Sequence, residues 1–140
     1  NALRVMKQVG ISPRRVAVLS SVEAPTPAVP SSMEAFEVVR ALRSSLSQEE
    51  YIDGPLALDN AFSSRAAAVK GLCGPVVGKA NLFIVPSLDA GNILCKGLTY
   101  IAKFPSSGIM AGTRKPVILT SRSARKEERY NSMLIACLMV

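Results

Sequence analysis

Thr120-Ser121-Arg122-Ser123 sets three hydroxyls and a guanidinium between a short apolar run, Val117 to Thr120, and a helix predicted from about Ser123. Where a strand gives way to a helix, unpaired backbone N–H groups and the positive end of the helix dipole converge on one spot, and that spot attracts anions. Arg122 can grip a phosphate through two parallel hydrogen bonds, and Ser121 can donate to an oxyanion that develops during acyl transfer. The same residues allow a plainer reading, with Ser123 capping the helix and Arg122 solvated. Glu127 and Glu128 fall in the first turns of that helix, where the dipole favours a carboxylate and a base could take a proton from a thiol. Alternatively both are surface groups paired with Arg125 or Lys126. A second loop, Pro86 to Asn92, offers Asp89, Gly91 and Asn92: Asp89 can cap the helix that follows, and Gly91 can let a ligand approach the backbone. Gly91 serving packing alone is the competing reading.

These loops need elements to hold them. Leu3 to Val9 reads as a helix and Arg15 to Ser21 as a short buried strand. Ala24 to Ser32 carries three prolines and is expected to be an ordered extended loop. Ser31 or Ser32 then caps a helix to about Leu46, with Met33, Phe36, Val39 and Leu42 as its apolar face. Ile52 to Leu58 reads as a strand interrupted at Gly54-Pro55, and a helix follows from Asp59 or Asn60 to about Leu72. Ala80 to Val85 is predicted as the most clearly buried strand, closed by Pro86. A helix from Gly91 to about Phe104 presents Leu94, Leu98 and Ile101, and the last helix carries Met133, Leu134, Cys137 and Leu138. Gly78-Lys79 lacks the glycine pattern of a nucleotide loop. Strands alternating with helices, each strand apolar without interruption, argue for an α/β sandwich whose sheet is covered on both faces. In such a sheet ligands bind beyond the carboxyl ends of the strands, so Val22 to Ser32, Pro86 to Asn92 and Thr120 to Arg125 are the loops to watch.

Bulk properties narrow the function classes. Hydrophobic residues are 49% and charged residues 19% of the 140, which reads as globular. No apolar run approaches the roughly 18 residues of a membrane span, so no membrane partner is expected. The chain opens without Met and stops inside an apolar stretch, as a piece of a longer protein would. Nothing at its start resembles an export leader, and the cytoplasm is the expected compartment. Cys73, Cys95 and Cys137 are odd in number and far apart, and no disulfide is expected. With no His in the chain, the common zinc arrangements and any triad with an imidazole base are not expected, and no metal is expected to take part in the chemistry. The net charge of +7 is concentrated from Lys103 to Arg129, which suits phosphate or a nucleotide-like molecule. Nucleic acid is disfavoured by the few aromatic residues and the lack of any recognised binding motif.

Several separated stretches carry a resemblance. Val16 to Ala24 (VAVLSSVEA), Asp53 to Asn60 (DGPLALDN), Pro75 to Asn81 (PVVGKAN), Pro86 to Asn92 (PSLDAGN), Lys115 to Arg122 (KPVILTSR) and Asn131-Ser132 follow one another in the order in which the phosphate acetyl/butyryl transferase family has them. DGPLALDN leans to the butyryl branch. The resemblance implies the C-terminal half of a three-layer α/β/α sandwich of the isocitrate/isopropylmalate dehydrogenase type. Residues 1–108 would be the second, cleft and dimerisation domain, and residues 109–140 a strand-loop-helix segment returning to a first domain that is otherwise absent. It implies reversible transfer of a short acyl group between coenzyme A and inorganic phosphate, with coenzyme A as substrate, no permanent cofactor, and a homo-oligomer. Ser121 and Arg122 fall on the family's phosphate-holding Ser-Arg pair. The acetyl branch has an Asp, proposed as the base for the coenzyme A thiol, at the place occupied here by Glu128. Two further anion-binding Arg residues of the family belong to the other half. A non-catalytic fragment or dimerisation unit is the rival expectation.

Overall fold

Arg14–Leu19 (β1) is the strand on which one half of the molecule is built, and it is buried almost throughout because it has a neighbour on each side. The computed structural model describes all residues, 1–140. Glu50–Leu56 (β2) and Leu82–Ile84 (β3) flank β1, both parallel to it, with Val16 opposite Ile52 and Leu82. Two parallel strands cannot be joined by a tight turn, and the crossover from β1 to β2 is the helix Pro30–Leu42 (α2).

Side chains alternate across a strand. Ala17 and Leu19 therefore share one face, where they join Leu56, Ala61, Ala67, Val76, Val77 and Ala80 in a single apolar cluster. Ala61 belongs to the short helix Leu58–Phe62 (α3) and Ala67 to Ser64–Val69 (α4). Val16 and Val18 are buried on the opposite face, and α2, which packs on β1 and β2, buries Ala35 and Val39. Gly78 lets the loop after α4 close over the cluster: its φ is +68°, and a Cβ there would lie 2.5 Å from Ser64 Cα.

Contacts divide the chain into two compact units, Pro13–Gly91 and a second made of Asn1–Ser12 with Asn92–Val140. The helix Leu88–Lys96 (α5) begins in the first and ends in the second, and a π-helical turn, Gly97–Ile101, extends it. The second unit also holds the helix Ala2–Gln8 (α1), an antiparallel pair Ile109–Met110 (β4) and Val117–Ile118 (β5), and the helix Lys126–Leu138 (α6), which packs on both strands. Ser132 fastens α6 there: fully buried, it donates to Glu128 O one turn back (2.7 Å) and accepts from Gly108 N (3.0 Å).

Several sequence expectations are corrected. β3 is short and only half-buried, since as an edge strand it pairs with β1 alone; β1 is the buried one. No serine caps α2. Pro30, whose fixed φ suits the first helical position, starts it after Val29, and Ser32 turns back to accept from Thr26 N at 2.9 Å. The buried stripe of α2 is Ser32, Ala35 and Val39, small residues that let the helix approach the sheet, while Met33, Phe36 and Leu42 are exposed. The helix expected over 59–72 breaks at Ser63, whose Oγ accepts from Ala66 N and caps α4. α5 starts three residues early, at Leu88, because Ser87 Oγ accepts from Ala90 N. Leu98 and Ile101 on its extension are exposed, as are Met133, Leu134 and Leu138 on α6. All three cysteines are free and exposed. No helix is long and apolar enough to cross a membrane.

Candidate active site

The second unit brings Ser121 and Ser123 together, with their Oγ atoms 3.0 Å apart. Thr120 follows β5, and Ala124 N donates to Ser121 O at 3.0 Å, so residues 121–124 form a turn before α6. Two side chains reach this turn from α5 and its π-helical extension. Lys96 Nζ donates to Ser121 Oγ at 3.3 Å, and the Tyr100 hydroxyl lies 2.7 Å from Ser123 Oγ. Lys96 Nζ also stands 5.3 Å from the centre of the Tyr100 ring, within cation–π range. Four side chains thus close a ring: Lys96, Ser121, Ser123, Tyr100.

Arg122 is exposed, and its guanidinium has no partner in the chain; its carbonyl accepts from Arg129 Nη2 at 3.3 Å. Ser123 does not cap α6. The N-cap is Arg125, whose N–H donates to Glu128 Oε2 at 2.9 Å while its guanidinium reaches Glu128 Oε1 at 3.2 Å. A Glu at the third helical position that turns back to the cap residue is a strong local arrangement, and it takes the amide that the sequence had left for a ligand. Glu128 is consequently held ionised: the Arg125 N–H lowers its pKa most, burial is the next effect and opposes it, and the Arg125 side chain and the Ser106 hydroxyl lower it further. Glu127 remains exposed in the first turn.

Asp89, Gly91 and Asn92 lie on the first turns of α5. Asp89 is exposed and is not the cap. Gly91 is a packing residue, since a Cβ there would meet Val85 Cγ2 at 2.9 Å. Asn92 lies four residues before Lys96, on the same helical face. No group of three His, Cys, Asp or Glu side chains is arranged to hold a metal ion.

Lys96, Tyr100 and Arg129 escaped the sequence reading. The first two form with Asn92 a polar stripe at intervals of four, which was the signal available; nothing local announced that the stripe would meet Ser121.

The chain combines a parallel α/β core in one unit with a hydroxyl-rich, basic turn before α6 in the other. The family model for phosphate acetyl/butaryl transferases matches residues 1–137, and the chain belongs to that family. It is 38% identical to the phosphate acetyltransferase of Rhizobium meliloti over 99% of its own length and 44% of that protein's. It is also 38% identical to the phosphate butyryltransferase of Clostridium acetobutylicum over 99% of its own length and 46% of that protein's. A branched-chain phosphotransacylase from Enterococcus faecalis V583 superposes with a TM-score of 0.86 at 38% identity, over 99% of this chain and 49% of that one. The chain thus spans about half the length of the relatives it matches.

Proposed function

We propose that this chain is the C-terminal half of an enzyme that reversibly transfers a short acyl group between coenzyme A and inorganic phosphate. The observation that carries the reading is the Ser121-Arg122 turn, with a guanidinium unpartnered in the chain, an ammonium against the serine hydroxyl, and the nearby Glu128 carboxylate tied to Arg125. In the proposed reaction a phosphate oxygen attacks the thioester carbonyl, a tetrahedral oxyanion forms, and the coenzyme A thiolate leaves; the reverse direction begins from the thiol. Arg122 holds the phosphate through paired N–H donors, with Ser123 and Asn92 assigned to substrate contact. Ser121 donates to the carbonyl oxygen as it gains charge. Glu128 is assigned to accept the thiol proton, which requires its tie to Arg125 to open. Coenzyme A is a substrate here, and no permanent cofactor is invoked.

The same proposal covers the wider molecule. Residues 1–108 are taken as the second domain of an isocitrate/isopropylmalate dehydrogenase-type α/β/α sandwich, and 109–140 as the segment returning to the first. A cytoplasmic homo-oligomer is expected, and apolar surface exposed on α2, including Phe36 and Val38, supports the association. The rival reading, a non-catalytic fragment, draws on the half-length match.

The test pairs this chain with the remaining half of the family fold and follows acyl-phosphate formation. Ser121→Ala and Arg122→Ala are each expected to lower kcat/KM by about 10²–10³-fold, the scale of losing one transition-state donor. Unchanged rates would remove the role assignments. Titrating coenzyme A into the chain alone addresses the rival, because a purely structural unit gives no heat of binding.

A further inference from the structure

The ring at the 121–124 turn contains a residue that the proposed reaction does not yet use. A serine hydroxyl has one hydrogen to give and two lone pairs to fill. Lys96 Nζ, at 3.3 Å, fills one lone pair of Ser121 Oγ. The Ser123 N–H, at 3.4 Å, fills the other. With both lone pairs engaged, the Ser121 hydroxyl is left as the donor, to Ser123 Oγ at 3.0 Å, itself 2.7 Å from the Tyr100 hydroxyl, or to a ligand oxygen that displaces that contact. The stretch that delivers Lys96 and Tyr100 is itself unusual: α5 ends at Lys96 and gives way to a π-helical turn, closed by Ala102 N to Gly97 O at 3.0 Å. Such turns are rare and are frequently found at functional sites.

We infer that Lys96 is a positioning residue for Ser121: its ammonium orients the serine hydroxyl as a donor toward a bound phosphoryl or carbonyl oxygen, and adds the positive charge that holds inorganic phosphate at this turn. Tyr100 completes the device by carrying the ammonium on its ring face and fixing Ser123. The inference rests on the reading of Ser121 and Arg122 given above and extends it to α5. Charge at this position is exposed, so its contribution to phosphate binding falls as salt is raised.

The experiment uses the 140-residue chain with inorganic phosphate as the probe, at fixed ionic strength, following the Ser121 to Ser123 amide resonances and the Ser121 Cβ resonance by NMR. Lys96→Met is expected to weaken phosphate binding about tenfold, the size of one charge-assisted hydrogen bond. It should also shift the Ser121 Cβ resonance before any phosphate is added. Lys96→Arg should restore most of the binding, because a guanidinium still donates. Lys103→Met removes the same charge beyond the π-helical turn and should leave binding within about twofold. Lys96 is exposed, and the dispersion of the β1 amides reports that each variant is folded. Phosphate binding by Lys96→Met equal to the unmodified chain, with Arg122→Ala losing it, would overturn the inference and leave the function intact. An unmodified chain whose 121–123 amides do not respond to phosphate overturns both, and Arg122→Ala without effect points to the function as the part that failed.

Discussion

Ser132 illustrates how much a single small side chain carries in this molecule. Its hydroxyl is fully buried and joins α6 to Gly108. Removing it leaves the Gly108 N–H without an acceptor, and a buried orphan donor costs about 1–3 kcal/mol. Ser132→Ala should therefore lower the urea midpoint with little change in m-value; an unchanged midpoint would mean that solvent replaces the hydroxyl. Arg14 poses the same question with charge. Nearly buried, it donates to Glu50 Oε1 at 3.1 Å, with Glu49 at 3.6 Å. Glu50→Ala removes the nearer carboxylate and leaves Glu49 to hold the guanidinium, so the expected cost is about 1–3 kcal/mol, read from the urea midpoint. Glu128→Gln separates two roles for one residue. An amide at that position still accepts from the Arg125 N–H, so the cap is kept and stability should fall only by what the exposed Arg125 ion pair contributes, while acyl transfer to the coenzyme A thiol should slow at least about tenfold if the carboxylate is the base.

At the scale of elements, the first turn of α5 fits against Val85 through the absence of a side chain at Gly91. An alanine at position 91 would bring Cβ within 2.9 Å of Val85 Cγ2, and a β-branched neighbour has little freedom to yield. Gly91→Ala should cost about 1–3 kcal/mol as overpacking, and Val85→Ala in the same chain should recover part of that loss. A double-mutant cycle measures the coupling; strictly additive effects would show that the two residues do not press on each other. α2 makes the complementary point. Its apolar residues at 33, 36, 39 and 42 suggested one face, yet of these the sheet took only Val39 and buried Ser32 and Ala35 beside it, because close approach of helix to strand needs little side-chain volume.

Across the whole molecule, three carboxylates share an acid sensitivity. Glu23 is lowered chiefly by its hydrogen bond from Lys70, Glu50 by the Ser47 N–H, and Glu128 by the Arg125 N–H, all from an ordinary value of 4.5. A carboxylate whose pKa is lower folded than unfolded contributes its stability above the unfolded value and loses it as pH falls toward the folded one. Stability should accordingly be flat with respect to these groups from about pH 7 to 5 and decline below about 4.5. Urea midpoints against pH check this, and a midpoint that rises on acidification through that window would contradict it. Hydrogen exchange should be slowest in β1, which is buried and paired on both sides, and fast along α5, none of whose residues is buried.

By itself, the sequence determined the alternation of strands and helices, the strand near residue 16, the Ser121-Arg122 turn and the family resemblance. Those signals are local: apolar periodicity, proline and glycine punctuation, and short motifs act within a few residues of themselves. Only the tertiary structure decided which serine caps which helix, that Glu128 folds back on Arg125, and that Lys96 meets Ser121 across 25 positions of chain. A cap is settled by competition among neighbouring donors and acceptors in three dimensions. A contact between distant residues depends on where two elements cross, and nothing in the spacing along the chain encodes that crossing.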